Sequence, residues 1–101
     1  MSTLIEKIQA MENIGAGYLA HQALQKLIHL HLQKYEKQIE EVKRDLKPFE
    51  RRYGMSSEEC HRQFMAGELD DVADFMEWMG LYDDMQLYRE RVKALRAVVE
   101  E

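Results

Sequence analysis

The feature that most constrains the fold is an apolar stripe in the middle of the chain. Its members recur at alternating spacings of four and three without interruption. At about 100° per helical residue, they point within about 60° of one direction, and the residues between them are almost entirely polar. So narrow a stripe is typical of a coiled-coil seam, which one helix cannot bury alone. The seam consists of Ile28, Leu32, Tyr35, Ile39, Val42, Leu46, Phe49 and Tyr53.

The helix that carries the seam needs a second helix, from this chain or from another copy. Because one short chain supplies little material to cover it, we expect a homodimer, with the seam members from Ile28 to Phe49 as dimerisation residues. Pro48 lies inside the seam and predicts either a kinked helix or a fresh helical turn that begins at Pro48. Gly54 is expected to end the helix in the left-handed conformation.

Shorter helices are predicted on both sides of the seam. Leu4, Ile8 and Met11 form an amphipathic pattern with Ser2 available as N-cap. The glycines of Gly15–Gly17 favour a helix end and a tight turn, although one continuous helix with a close helix contact is the alternative.

The C-terminal half carries its own helix signals. Ser56 and Glu59 have the spacing of a capping box, which opens a short helix that runs through Met65 and stops at Gly67. A last helix is expected to begin near Asp70 or Asp71 and to run to the C-terminus. The sequence therefore predicts an all-α fold: a long coiled-coil-forming helix, a short capped helix and a C-terminal helix. Together they would form a helical hairpin or bundle that dimerisation completes.

Composition agrees with a small soluble helical protein. The chain has 101 residues, enough for one module, which we divide into a coil-forming dimerisation half (1–54) and an acidic-aromatic partner-binding half (55–101). The net charge of −5 disfavours generalised nucleic-acid binding. Cys60 is the single cysteine, and no apolar run approaches the length of a membrane span, so a cytoplasmic location and no membrane partner are expected.

The segment from Glu68 to Asp84, hereafter the acidic segment, joins dense negative charge to aromatic and methionine side chains. It contains no Lys or Arg. Its seven acidic residues are Glu68, Asp70, Asp71, Asp74, Glu77, Asp83 and Asp84.

The apolar residues of this region point in two directions. Val72, Phe75, Trp78, Met79 and Tyr82 cluster around one direction of the helix. Leu81, Met85, Tyr88, Val92, Leu95 and Val99 cluster around another, displaced by roughly 100°. Gly80 lies between the two sets. Two faces imply two neighbours or a break at Gly80.

Two interpretations of the aromatic side chains remain open at this point. They form an intramolecular core, with the charges merely solvated, or they form an interface for a basic protein partner. The interface interpretation assigns partner binding to Asp74, Phe75, Glu77, Trp78, Tyr82 and Asp83.

The sequence offers little for catalysis or metal binding. His29 and His31 lie about 200° apart on a helix and cannot share one ion, and Cys60 and His61 are adjacent rather than spaced as zinc ligands. No nucleophile elbow or Gly-rich phosphate loop is present. We therefore expect no enzyme activity, no cofactor and no metal. The basic cluster from Lys43 to Arg52 is a weak candidate for nucleic-acid binding, and it could instead meet the acidic segment.

The stretch from Tyr53 to Trp78 resembles a group of small prokaryotic antitoxin-like helical proteins that are encoded beside a small toxin. The matching pattern is Y-G-M-S-x-E-E, then F-x-x-G-E-L, then D-F-x-E-W, and Cys60 stands where the group has an aromatic residue. The matching residues are Tyr53, Gly54, Met55, Ser56, Glu58, Glu59, Phe64, Gly67, Glu68, Leu69, Asp74, Phe75, Glu77 and Trp78.

The resemblance covers about a quarter of the chain and implies a non-catalytic homodimer that neutralises a partner, such as a small basic toxin, by covering it. The residues themselves indicate a helical binding protein. The alternatives are a helical dimer that binds nucleic acid through the basic cluster, or a structural coiled-coil protein of unrelated role.

Overall fold

The computed structural model describes residues 1–99, and they form four α-helices joined by short connections. The helices are α1 (Leu4–Asn13), α2 (Gly17–Tyr53), α3 (Ser57–Met65) and α4 (Ala73–Val99). No strand occurs within this range, so the fold is all-α, as predicted. The two residues that would extend the last predicted helix to the C-terminus lie outside the described range.

Helices α2 and α4 form an antiparallel hairpin. Near its open end, the Gln25 side chain donates a hydrogen bond of 2.6 Å to the carbonyl oxygen of Val99. At the other end, Arg52 lies against Asp74. The molecule is correspondingly elongated, with extents of 62 × 24 × 21 Å. Helix α1 packs beside the N-terminal part of α2, and α3 packs against α4.

The seam of α2 is covered by α4 of the same chain. Leu32, Ile39, Val42 and Leu46 are buried, and the remaining seam residues are partly buried. The buried part of the predicted dimerisation seam therefore packs within the chain's own fold. Self-association stays a prediction.

The junction between α2 and α3 follows the sequence signals closely. Gly54 adopts the left-handed conformation at φ 65°, ψ 31°, and its N–H donates to the carbonyl oxygen of Glu50, which ends α2. The Ser56 hydroxyl then accepts from the backbone N–H of Glu59 at 3.1 Å and caps α3. The predicted turn between α1 and α2 is also present, with Gly15 at φ 82°.

Two local predictions need correction, and one alternative at Pro48 is decided. Thr3, not Ser2, caps α1, since its hydroxyl lies 3.1 Å from the backbone nitrogen of Glu6. Helix α4 begins at Ala73, two to three residues after the expected start. Helix α2 continues through Pro48, so no fresh helix begins there. Pro48 is exposed, so the carbonyl that loses its intrahelical donor lies on the solvent side.

The last helix has two neighbours, and the face with Phe75, Trp78 and Tyr82 contacts both of them. Helix α4 is unbroken at Gly80, and it packs against α2 and, near its N-terminal end, also against α3. The buried core combines residues from all three helices: Ile39, Val42, Leu46, Cys60, Phe75, Trp78, Met79, Tyr82 and Met85. Cys60 is fully buried, and burial raises the pKa of its thiol.

Candidate protein-binding surface

The aromatic side chains of the acidic segment form the centre of the core. Trp78 is fully buried, with 0% of its surface exposed. The Trp78 ring stacks on Phe49 and on Tyr53 with ring centroids 5.8 Å apart in both cases. Phe75 packs on Tyr53 with centroids 4.9 Å apart. Aromatic pairs at these separations add stabilisation beyond that from hydrophobic burial. This cluster therefore holds α4 against α2.

A buried polar chain ties α3 to the same tryptophan. The indole Nε1–H of Trp78 donates to the Ser57 hydroxyl at 2.8 Å. The Ser57 hydroxyl and backbone N–H in turn donate to Glu50 Oε2 at 2.9 and 3.0 Å. Because each buried donor has an acceptor, Trp78 is buried without leaving its polar N–H unpaired. Three helices therefore meet at one hydrogen-bonded point.

The carboxylate of Asp74 is held within the chain. Asp74 Oδ2 accepts from the Tyr53 hydroxyl at 2.7 Å and from Arg52 at 2.8 Å. The hydrogen bond from Tyr53, followed by the one from Arg52, lowers the pKa of Asp74, because both favour the ionised carboxylate. The same pairing raises the pKa of Tyr53. One arginine of the basic cluster thus meets the acidic segment inside the molecule, as the sequence had suggested.

The six predicted partner-binding residues divide into two groups. Three of them, Phe75, Trp78 and Tyr82, are buried in the chain's own core and are not accessible to a partner. Asp74 is half-buried and paired, and only Glu77 and Asp83 are exposed. In this fold the aromatic side chains therefore form an intramolecular core. A partner that binds this segment would contact its exposed carboxylates and not the aromatic rings.

The exposed carboxylates of the segment form what we call the acidic surface: Asp70, Asp71, Glu77, Asp83 and Asp84. Two apolar side chains lie among them, Val72 with 42% and Met76 with 58% of its surface exposed. Asp83 lies 4.0 Å from the His61 imidazole.

Arg62 neutralises a different part of the segment. It bonds Glu59 at 2.8 Å and Glu68 at 3.3 Å, so Glu68 does not belong to the acidic surface. The hydrogen bonds from Arg62 and then from Gln63 lower the pKa of Glu59 to about 2.

Some residues of the basic cluster are paired with carboxylates, and others are exposed. Arg52 is occupied by Asp74, and Lys43 lies 3.2 Å from Glu40 on the next helical turn. Arg44, Lys47 and Arg51 are exposed on α2. Asp45 and Glu50 lie between these basic residues, so the cluster forms no uninterrupted basic stripe. Binding to a nucleic-acid backbone depends on several basic side chains that contact phosphates.

One groove of about 240 Å³ lies between α2, α3 and α4, where Lys43, Lys47 and Arg89 stand around Glu50 and Glu58. Within residues 1–99, no group of three or more His, Cys, Asp or Glu side chains is arranged to hold a metal ion. None of the helices in this part of the chain is long and apolar enough to cross a membrane.

The sequence did not reveal Ser57 and Glu50 as the polar partners of Trp78. In the sequence, Ser57 only follows the capping residue Ser56, and Glu50 is one charge within the run from Lys43 to Arg52. The only available signal was the indole N–H itself, since a buried tryptophan needs an acceptor that pattern alone does not locate.

Comparison with known proteins adds no relative: no family model, no curated protein and no solved structure matches this chain.

Proposed function

We propose that this chain is a non-catalytic protein-binding module, the antitoxin-like component of a prokaryotic toxin–antitoxin pair. It acts in the cytoplasm and neutralises a small basic protein by covering it. The binding site is the acidic surface, with Val72 and Met76 as its apolar contacts. This differs from the sequence-based hypothesis in one respect, because Phe75, Trp78 and Tyr82 now support the surface from below instead of touching the partner.

One observation carries the proposal: five carboxylates stay exposed on one segment that has no Lys or Arg. Elsewhere several carboxylates are paired, as Glu59 is with Arg62 and Glu36 with Arg96. An uncompensated acidic surface raises the local concentration of a basic partner and speeds encounter. Exposed Met side chains adapt to a partner's shape and supply the holding energy that charge alone does not give.

The experiment uses the product of the gene adjacent to this one, tested for growth inhibition and for complex formation with this chain. We expect co-expression to restore growth and the purified proteins to associate. Glu77→Gln together with Asp84→Asn should slow association and flatten its salt dependence, because surface charges act mainly on the association rate. Met76→Ala should chiefly speed dissociation.

Glu41→Gln is the matched control, since Glu41 is an exposed carboxylate on α2, outside the acidic segment. It should leave the association rate nearly unchanged. An equal slowing by Glu41→Gln would mean that only net charge matters. No association with the neighbouring product, with wild-type helicity intact, would refute the proposal.

A further inference from the structure

Helix α4 carries an apolar row on the side opposite the core. We call it the outer row: Met76, Gly80, Leu87, Ala94 and Val98. At about 100° per residue its members lie within about 40° of one another. All five are exposed, and Met76, Leu87 and Val98 expose 58%, 42% and 47% of their surfaces. A helix that is apolar on both sides is typical of one with a neighbour on both sides.

Gly80 gives an independent indication that something approaches this side of α4. It lies in the interior of an unbroken helix, where glycine is less favourable than alanine. Apart from the helix's own backbone and the two adjacent residues, no atom of residues 1–99 lies within 4 Å of the position that a Cβ would take. The glycine therefore makes no room for the chain's own packing, and it fits a close contact from outside.

The outer row reads the same in both directions. Its successive spacings are four, seven, seven and four, centred on Leu87. If a second α4 lies antiparallel with Leu87 beside Leu87, Gly80 is level with Ala94 of the second copy and Met76 is level with Val98. Small side chains then meet small ones and large meet large over about 33 Å of helix. A twofold axis requires such self-complementarity, whereas an unrelated partner does not.

The charges of α4 favour the same antiparallel arrangement. Residues 73–84 contain four carboxylates and no basic residue, and residues 85–99 contain four basic residues and one carboxylate. Parallel pairing would place like charges together, whereas antiparallel pairing places the acidic half of each copy on the basic half of the other. With Leu87 on the axis, Asp84 lies within one residue of the level of Arg91 of the second copy, on the same flank, and symmetry repeats this contact. Both side chains are exposed.

The opposite flank of the outer row is more nearly balanced. Asp83 lies there within two residues of the level of both Glu90 and Lys93 of the second copy, so repulsion and attraction offset in part. Asp83 also has the His61 imidazole of its own chain at 4.0 Å. The flank with Asp84 and Arg91 is therefore the one that attracts a second copy.

We propose that the outer row is a self-association surface, on which α4 of a second copy of this chain packs antiparallel about a twofold axis at Leu87. Met76 and Asp84 also belong to the proposed binding site for a basic protein, so a second copy and that partner exclude each other there. This exclusion rests on the proposed function, whereas the dimer itself does not.

The first test measures mass by light scattering on the full chain over a series of micromolar concentrations. The wild type is expected to dimerise. Leu87→Glu places two carboxylates together on the axis, and Gly80→Leu places a bulky side chain against Ala94. Each should raise the dimer dissociation constant roughly tenfold or more. Helicity should stay wild-type, because Leu87 is exposed in the single chain and the space beside Gly80 is open.

Leu30→Glu is the matched control, because Leu30 is an exposed leucine (53%) on α2, away from the outer row. It should leave the dimer intact. A wild type that stays monomeric throughout this range would overturn the proposal. So would a dimer that survives both outer-row substitutions or is lost in Leu30→Glu.

The second test exchanges charges between copies. Asp84→Arg and Arg91→Asp should each weaken the dimer roughly tenfold, since both symmetry-related contacts then join like charges. An equal mixture of the two variants should associate more tightly than either variant alone, because each contact again joins opposite charges. The same charge changes on exposed positions of α2, Glu41→Arg and Arg44→Asp, should leave the dissociation constant nearly unchanged. No gain on mixing would overturn the antiparallel register.

The exclusion between dimer and partner has its own readout. Adding the product of the adjacent gene should convert the dimer into a complex that contains one copy of this chain, measured by light scattering. A complex that keeps two copies paired through α4 would refute the exclusion and leave the dimer and the proposed function standing. Failure of the adjacent product to bind would refute the proposed function alone, since the dimer is measured on this chain without a partner.

Discussion

Replacing Trp78 gives the most direct test of how this fold is held together. Trp78 is fully buried, stacks on two aromatic rings and donates to Ser57. Truncating a buried tryptophan to alanine costs about 3–5 kcal/mol through lost burial and the cavity that remains. Domains of this size are typically stable by roughly 5–15 kcal/mol, so Trp78→Ala should bring the chain close to unfolding.

The hydrogen bond can be separated from the packing with two milder variants. Ser57→Ala leaves the indole N–H buried without an acceptor, which costs about 1–3 kcal/mol. Trp78→Phe keeps an aromatic ring but removes the donor. If the bond contributes as typical ones do, the double variant should lose less than the sum of the two single variants, by about 1 kcal/mol.

Urea unfolding followed by far-UV circular dichroism measures these free energies. Tryptophan fluorescence cannot follow the Trp78 variants, because Trp78 is the only tryptophan of the chain. All variants must be compared at one protein concentration, since self-association would add to apparent stability. A loss below about 1 kcal/mol in Trp78→Ala, with native helicity, would refute the core assignment and return Trp78 to the interface hypothesis.

Three further outcomes follow from other parts of the fold. Ser56→Ala should lower stability by about 1 kcal/mol in thermal melts, since the hydroxyl caps α3; an unchanged melt would mean that the cap contributes nothing. Ile39→Asp should unfold the chain itself at any protein concentration, because Ile39 is buried against α4 and an unpaired carboxylate there costs several kcal/mol; a folded monomer would contradict this. The pKa of Glu59 is lowered from 4.5 to about 2 by Arg62, so its stabilisation is fully present above pH 4.5 and is lost as the pH falls toward 2. Glu59→Gln should therefore reduce acid destabilisation in that window, measured by melts across pH, while Glu58→Gln serves as the control.

Much of the local structure was determined by the sequence alone. Gly54 can adopt the left-handed conformation that ends α2, and Ser56 can cap α3, because both depend only on residues within a few positions. The seam likewise fixed which face of α2 is buried, since helical periodicity is a local property. The start of α4 was placed two to three residues early, because helix ends depend on competing local bonds.

Only the tertiary structure decided what covers each apolar face. The seam residue Ile39 fits equally well against a helix of a second copy or against α4, and the chain closes it with α4. Trp78 fits a partner interface or a core. It lies in the core, where Ser57 accepts its N–H and Glu50 accepts from the Ser57 hydroxyl. These outcomes depend on contacts between residues that are far apart in the sequence. An apolar pattern predicts that a helix face is covered, but it does not predict which neighbour covers it.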